Sequence, residues 1–280
     1  VMGEVMKEKW TRFELSNVTT DGRLLVGNTK FLAASWNYIN GGIAIFDINN
    51  PCQVKSELPL YHGFRGHVLD IEFSPFRSDL IASGTEASVV KLFQIPEGGL
   101  KESSKQELQI FSGHSKKIPL INFNPVASDC IMSSSIDGCT KIWSIVNGEE
   151  FTSLVLGGVP TSAWWNENGS LIAACCKNKN LVVLDPRANK NILSTMCHES
   201  SKASKLAWMD SDMLITCGFS KPGNREIKQW DLRKISDNSC EPLASVIIDK
   251  NSPPITPYFD KESKLLFVIG KGETTQYIYD

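Results

Sequence analysis

No apolar run in the chain approaches the roughly 20 residues that a membrane-spanning helix needs. Its start, Val1-Met2-Gly3-Glu4, has neither the basic end nor the apolar core of a secretion signal. An excess of either charge is also missing: 29 basic residues stand against 31 acidic ones, a net charge of −2. That balance excludes a chain that binds nucleic acid through bulk positive charge. The eight cysteines contain no CxxC pair. They lie in apolar runs (Cys130, Cys175, Cys176, Cys217) or turns (Cys52, Cys139, Cys240), so no thiolates converge at the tight spacing zinc requires.

Cys197-His198-Glu199 sets a thiol beside an imidazole, but adjacent side chains rarely face one another, and catalytic partners meet in space rather than in sequence. The thiols read as reduced small hydrophobes. Histidine is scarce, with four in the chain, and no paired carboxylates accompany them for acid–base work. Gly270-Lys-Gly-Glu-Thr-Thr275 lacks the Gly-x4-Gly-Lys-Ser/Thr spacing of a phosphate loop and lies between strands rather than before a helix. The expectation is a soluble, cytosolic protein without enzyme activity, metal or cofactor. At 280 residues, 41% of them hydrophobic and 21% charged, the chain suits one large domain or two small ones.

What the chain does contain is a repeat. Short apolar runs recur: Ile43-Ala-Ile-Phe-Asp47, Val90-Lys-Leu-Phe-Gln94, Thr140-Lys-Ile-Trp-Ser144, Leu181-Val-Val-Leu-Asp185, Ile227-Lys-Gln-Trp-Asp231 and Gln276-Tyr-Ile-Tyr-Asp280. Their anchors Phe46, Phe93, Trp143, Leu184, Trp230 and Tyr279 are separated by 47, 50, 41, 46 and 49 residues, close to the roughly 40–45-residue period of a WD40 blade. Within each unit one strand comes first (Val68–Pro75, Ile118–Pro125) and a second follows a polar turn (Leu80–Ser83, Cys130–Ser133, Leu171–Ala174). The anchor strand is third, and a looser fourth such as Phe151–Val155 closes the unit. Strands of four to eight residues without helical periodicity predict an all-β array. Since a four-stranded sheet with an apolar face cannot stand alone, the units are expected to pack radially as a WD40 β-propeller with six visible repeats.

Two units open on Gly-His, at Gly66-His67 and Gly113-His114. WD40 units carry a buried chain of His, Ser, turn Asp and anchor Trp, with the Asp six and the Ser eight residues before the Trp. In the third unit this count selects His114, Ser135, Asp137 and Trp143. A buried imidazole and indole each need a partner, so these residues are expected to be structural. Elsewhere the count fails: from Trp230 it reaches Asn224 and Pro222, and from Phe93 it reaches Ala87 and Thr85.

Several less generic segments resemble the coronins, a family of WD40 proteins, along essentially the whole chain. Ser112-Gly-His-Ser-Lys-Lys117 is similar to the family's GHSK loop, Trp165-Asn-Glu-Asn-Gly-Ser-Leu-Ile172 to its WNxNGSLI turn, and Cys217-Gly-Phe-Ser220 to its TGFS turn. Pro257-Tyr-Phe-Asp260 with Gly270-Lys-Gly272 is similar to PFYDPDT…GKGD. The resemblance implies a seven-bladed propeller followed by an extension and a coiled coil. Residues 1–280 are accordingly expected to be one propeller domain truncated from seven blades, with an N-terminal strand at 1–7 and only three strands in the sixth unit. The seventh blade and the coiled coil needed for oligomerisation would be absent. A six-bladed ring closed by Val1–Lys7 against Thr275–Tyr279 is the alternative.

The resemblance also implies a cytoplasmic protein of the actin cytoskeleton that binds F-actin, tunes bundling and turnover, and meets other actin regulators. In animal members a basic first-blade residue is associated with filament binding; Glu14 occupies that position here, with Arg12 nearby. The residues themselves suggest a second route. Loops entering the first strand or joining the second and third carry Arg65, Lys116, Lys117, Lys177, Lys179, Lys221, Arg225 and Lys271, against Glu86, Glu226 and Glu273. One rim is thus expected to be basic, suiting an acidic filament. The competing reading is a general WD40 scaffold that holds peptide segments in a multiprotein complex.

Overall fold

The structure, a computed structural model, describes residues 10–280 except 52, 53, 55, 56 and 237. The expected pairing of Val1–Lys7 lies outside the described residues. Six antiparallel sheets follow one another along the chain. The first contains β1 (Leu25–Gly27), β2 (Phe31–Trp36), β3 (Gly42–Asp47) and β4 (Leu60–Tyr61). The second contains β5 (Val68–Phe73), β6 (Leu80–Thr85), β7 (Val89–Gln94) and β8 (Gln109–Ser112). In the third are β9 (Leu120–Phe123), β10 (Cys130–Ser134), β11 (Cys139–Ser144) and β12 (Glu150–Val155). The fourth comprises β13 (Pro160–Trp165), β14 (Ile172–Cys176), β15 (Asn180–Asp185) and β16 (Lys190–Met196). The fifth comprises β17 (Lys205–Trp208), β18 (Met213–Phe219), β19 (Arg225–Asp231) and β20 (Ala244–Asp249). The sixth has three strands, β21 (Ile255–Asp260), β22 (Leu265–Gly270) and β23 (Gln276–Tyr279). The only helix among the described residues is a 3-10 turn at Leu232–Lys234, and none is long and apolar enough to cross a membrane.

Each anchor stands where the repeat predicts, on the third strand of its sheet. Phe46, Phe93, Trp143, Leu184 and Trp230 are buried, and Tyr279 is half-buried. Fully burying such a side chain stabilises by about 1.5–3 kcal/mol, which makes the recurring anchor the main local reason for the repeat. The chain divides into two compact units, residues 1–123 with 145–149 and residues 124–144 with 150–280. In the first, Phe31, Ile43, Ile45, Tyr61 and Phe64 pack with Ile71, Phe73, Ile81 and Phe93. The Tyr61 and Phe93 ring centroids are 4.5 Å apart, and burial pushes the Tyr61 phenol up to about 12. In the second, Leu181, Leu193, Trp208, Leu214 and Trp230 form one cluster. Ile215, Ile227, Ile255, Leu266 and Val268 form another.

A polar staple crosses the inner strands of the first unit. The Arg23 guanidinium donates to Asp70 Oδ1 (2.9 Å), Glu72 Oε1 (2.9 Å) and the Ile121 carbonyl (2.7 Å). Asp70 Oδ2 also accepts the Ile121 amide (2.8 Å), while Glu72 accepts the Phe123 amide (2.7 Å) and the Asn122 side-chain amide (2.8 Å). Since β5 contributes both acids and β9 the amides, one arginine fixes two neighbouring strands through groups that would otherwise be buried without partners.

Candidate protein-interaction face

At one end of each sheet lie the turn joining its second and third strands and the connection entering its first strand. This end holds most of the expected site residues. In the first unit Arg12, Arg65, Lys116 and Lys117 are exposed. In the second, Lys177 and Lys179 are exposed on the β14–β15 turn, Lys221 on the β18–β19 turn and Lys271 on the β22–β23 turn. Lys202, which the sequence analysis had not singled out, is exposed with its ammonium 4.3 Å from the Phe219 ring centroid.

Arg225 departs from the expected rim. It begins β19 and its side chain is fully buried. Nε donates to Asp249 Oδ1 (2.7 Å), Nη2 meets Asp249 Oδ2, and Nη1 donates to Glu273 at 2.9 Å. The Tyr277 hydroxyl donates to Asp249 Oδ2 (2.8 Å). These contacts hold Asp249 well below the usual carboxylate range, with the Arg225 hydrogen bond the largest cause. A guanidinium bound by two carboxylates is a structural ion, not a rim cation. Glu226, also assigned to the rim, is likewise buried.

The expected polar chains differ in detail from the linear count. In the third sheet His114, Ser135 and Trp143 are buried, but the indole donates to Ser133, whose Oγ accepts the Trp143 N–H at 2.8 Å. Ser135 Oγ accepts the Asp137 amide, and Asp137 Oδ1 accepts the Cys139 amide. In the fifth sheet, where the count found nothing, a second chain is present. The Trp230 indole donates to Thr216 Oγ1 (2.9 Å), Thr216 Oγ1 lies 3.0 Å from His198 Nε2, and His198 Nδ1 lies 2.7 Å from Glu226 Oε1.

Strand register explains the difference. Trp143 pairs with Ile131 and Trp230 with Leu214. In each case the acceptor, Ser133 or Thr216, lies two residues beyond that partner along the second strand. The β18–β19 hairpin is longer, so the same geometry spans 14 residues instead of 10. Where the anchor is Leu184 or Phe46, the equivalent positions are Ala174 and Ala34; opposite Phe93 the position is Ser83, whose hydroxyl donates to the Lys91 carbonyl instead.

Glu226 and Thr216 engage both His198 nitrogens, and the Cys197 thiol, which burial alone would raise, is drawn below its ordinary value by hydrogen bonding to Cys175 and to this imidazole. Cys197 is buried with its sulfur 4.0 Å from Cys175. That neighbour and burial push the Cys175 thiol well above its ordinary value. Among the described residues no group of three or more His, Cys, Asp or Glu side chains is placed to hold a metal ion.

Repeated antiparallel sheets with an apolar or aromatic anchor on each third strand, buried in five of the six, define a WD40 β-propeller. No family model matches the chain. It is 34% identical to Coronin-A of Dictyostelium discoideum over 275 residues, covering 98% of this chain and 61% of that protein. It is 29% identical to the coronin-like protein of Saccharomyces cerevisiae, covering all of this chain and 45% of that one. The chain therefore spans about half to three fifths of the length of these relatives. The WD40 domain of Toxoplasma gondii coronin superposes with a TM-score of 0.92 at 30% identity, covering 99% of this chain and 71% of that one. The chain belongs to the coronin family.

Proposed function

We propose that the chain binds actin filaments through the turn-bearing ends of its sheets. In doing so it takes part, with other actin regulators, in filament bundling and turnover in the cytoplasm. The observation that carries this reading is the state of the charges at those ends. Three carboxylates there are engaged locally: Glu86 accepts the His67 amide, Glu199 the Lys221 amide, and Glu273 binds Arg225. Arg65, Lys116, Lys117, Lys177, Lys179, Lys202 and Lys221 present their side chains to solvent. Each compact unit of a protein with net charge −2 thus displays exposed cations at its turn-bearing sheet ends, and such a local field favours an acidic partner irrespective of the overall balance.

Arg12 supports the same reading as an exposed cation beside Glu14. Arg225 takes no part in the contact and keeps the sheet ends in place. The test is co-sedimentation with actin filaments. The double substitution Lys116→Glu/Lys117→Glu is expected to weaken binding about ten-fold, the scale of two exposed charge contacts of ~0.5–1 kcal/mol each. Raising salt weakens the parent in the same direction. Unchanged sedimentation by the folded double variant removes these lysines from the contact.

A further inference from the structure

The second-to-third-strand turns differ in what they show to solvent. The β6–β7 turn carries Glu86, Ala87 and Ser88, the β14–β15 turn Lys177, Asn178 and Lys179, and the β18–β19 turn Lys221 and Pro222. The β2–β3 turn carries Tyr38 and Ile39. Ile39 is 82% exposed and Tyr38 46%, and no other of these turns among the described residues shows a large hydrophobic side chain as exposed. A single exposed hydrophobe is ordinary. Two adjacent ones at the tip of a fixed hairpin are a feature to explain.

The tip is held from several sides. The Tyr38 amide donates to the Trp36 carbonyl (2.9 Å) and the Gly41 amide to the Tyr38 carbonyl (2.9 Å), while the Asn37 amide donates to the Glu14 carbonyl (2.8 Å). Asn40 and Gly41 take φ of 62° and 84°, the left-handed conformation that Asn and Gly tolerate best. A Cβ on Gly41 would lie 2.7 Å from the Gly66 carbonyl oxygen, so the hairpin is seated against the loop entering β5. The Tyr38 and His62 rings meet edge-on, centroids 6.0 Å apart. Because its backbone is already ordered, the tip loses little further entropy when a partner covers it.

Its surroundings define the partner. Arg65 and His67 are exposed on the loop that Gly41 touches, and exposed Lys105 approaches the same loop at Gly63. Against them stand Glu14, whose carbonyl holds Asn37, and Glu86, which accepts the His67 amide. We infer that the Tyr38–Ile39 tip is an apolar anchor that docks on a protein surface presenting a bulky aliphatic side chain flanked by carboxylates. Ile39 and Tyr38 cover the aliphatic group, while Arg65 and Lys105 meet the acids. This deepens the filament reading, on which it rests for the identity of the partner, by adding a contact that salt does not screen.

Two measurements test it. In filament co-sedimentation, Ile39→Ser is expected to lower affinity about ten-fold, the scale for losing a covered aliphatic anchor, and the loss persists at high salt. In methyl-labelled protein, a Glu-Glu-Leu-Glu-Glu peptide is expected to shift the Ile39 δ1 methyl resonance at millimolar concentration, whereas Glu-Glu-Ser-Glu-Glu leaves it in place. Ile39→Ser sedimenting like the parent overturns the anchor while the filament reading stands. Should the parent fail to sediment at all, the filament reading falls and the peptides decide alone: a shift from the leucine peptide only supports the anchor, and equal responses overturn it.

Discussion

Arg23 and Arg225 are each held by two carboxylates, one arginine in each compact unit, yet they are built differently. Arg23 binds Asp70 and Glu72 on one inner strand, and the free valences of those acids are filled by backbone amides of β9. Arg225 binds Asp249 and Glu273, which come from the end of β20 and the β22–β23 turn. Asp70 is only 1% exposed, whereas Asp249 is 22% exposed. Glu72 and Glu273 are exposed to a similar extent (18% and 16%), and water reaches Arg23 but not Arg225, so the difference lies in one acid of each staple. An ion pair at a strand core and one at a turn therefore differ in what remains when the arginine is lost: a stranded buried acid, Asp70, in the first case, and acids that water can reach in the second.

The largest effect that would break this contrast is Arg23→Ala. It leaves Asp70 buried and Glu72 half-buried without their cation and is expected to cost about 3 kcal/mol, read as a drop in the midpoint of urea unfolding. Arg225→Ala is expected to cost less, about 1–2 kcal/mol after allowance for solvent at both acids. Its loss is local: hydrogen exchange of β23 amides should quicken while β5 and β9 keep their protection. Equal costs for the two substitutions would abolish the distinction.

The smallest and sharpest test is acid. An ordinary aspartate titrates near 3.8. Arg225 holds Asp249 lower, so its stabilisation is complete above that value and is lost as pH falls toward the depressed one. For Glu72 burial outweighs Arg23 and raises the carboxyl. Its contribution is therefore complete below the ordinary value and declines as pH rises through the raised one. Between about pH 4 and 2 the protection factors of Gln276–Tyr279 should fall before those of Ile121 and Phe123. Simultaneous loss would mean that the two staples titrate alike.

The anchors were legible because burying a large side chain at the same point of each sheet leaves a spacing that survives variation in turns. The three strands of the sixth sheet were legible for the same reason. The polar partners were less so. Counting back from Trp143 selected Ser135, whereas the indole donates to Ser133. The same count missed Thr216 and His198 altogether, because turn length shifts linear distance but not cross-strand register. Stepping along the second strand from the residue opposite each tryptophan would have found both hydroxyls. Arg225 was misplaced for a related reason: it directly follows a turn, and its partners lie 24 and 48 residues further on, where local pattern carries no signal.

The separation of register from turn length makes the β18–β19 turn a splice point. Thr216 and Trp230 are fixed by the ladder on either side, and a Cβ on Gly223 would meet nothing within 4 Å. Doubling the length of a flexible loop costs only about 0.6 kcal/mol in closure entropy. A reporter sequence can therefore be inserted between Pro222 and Gly223 as a cassette. The indole and hydroxyl beneath it stay in step, as a lock keeps its pins when the bow of the key is recut.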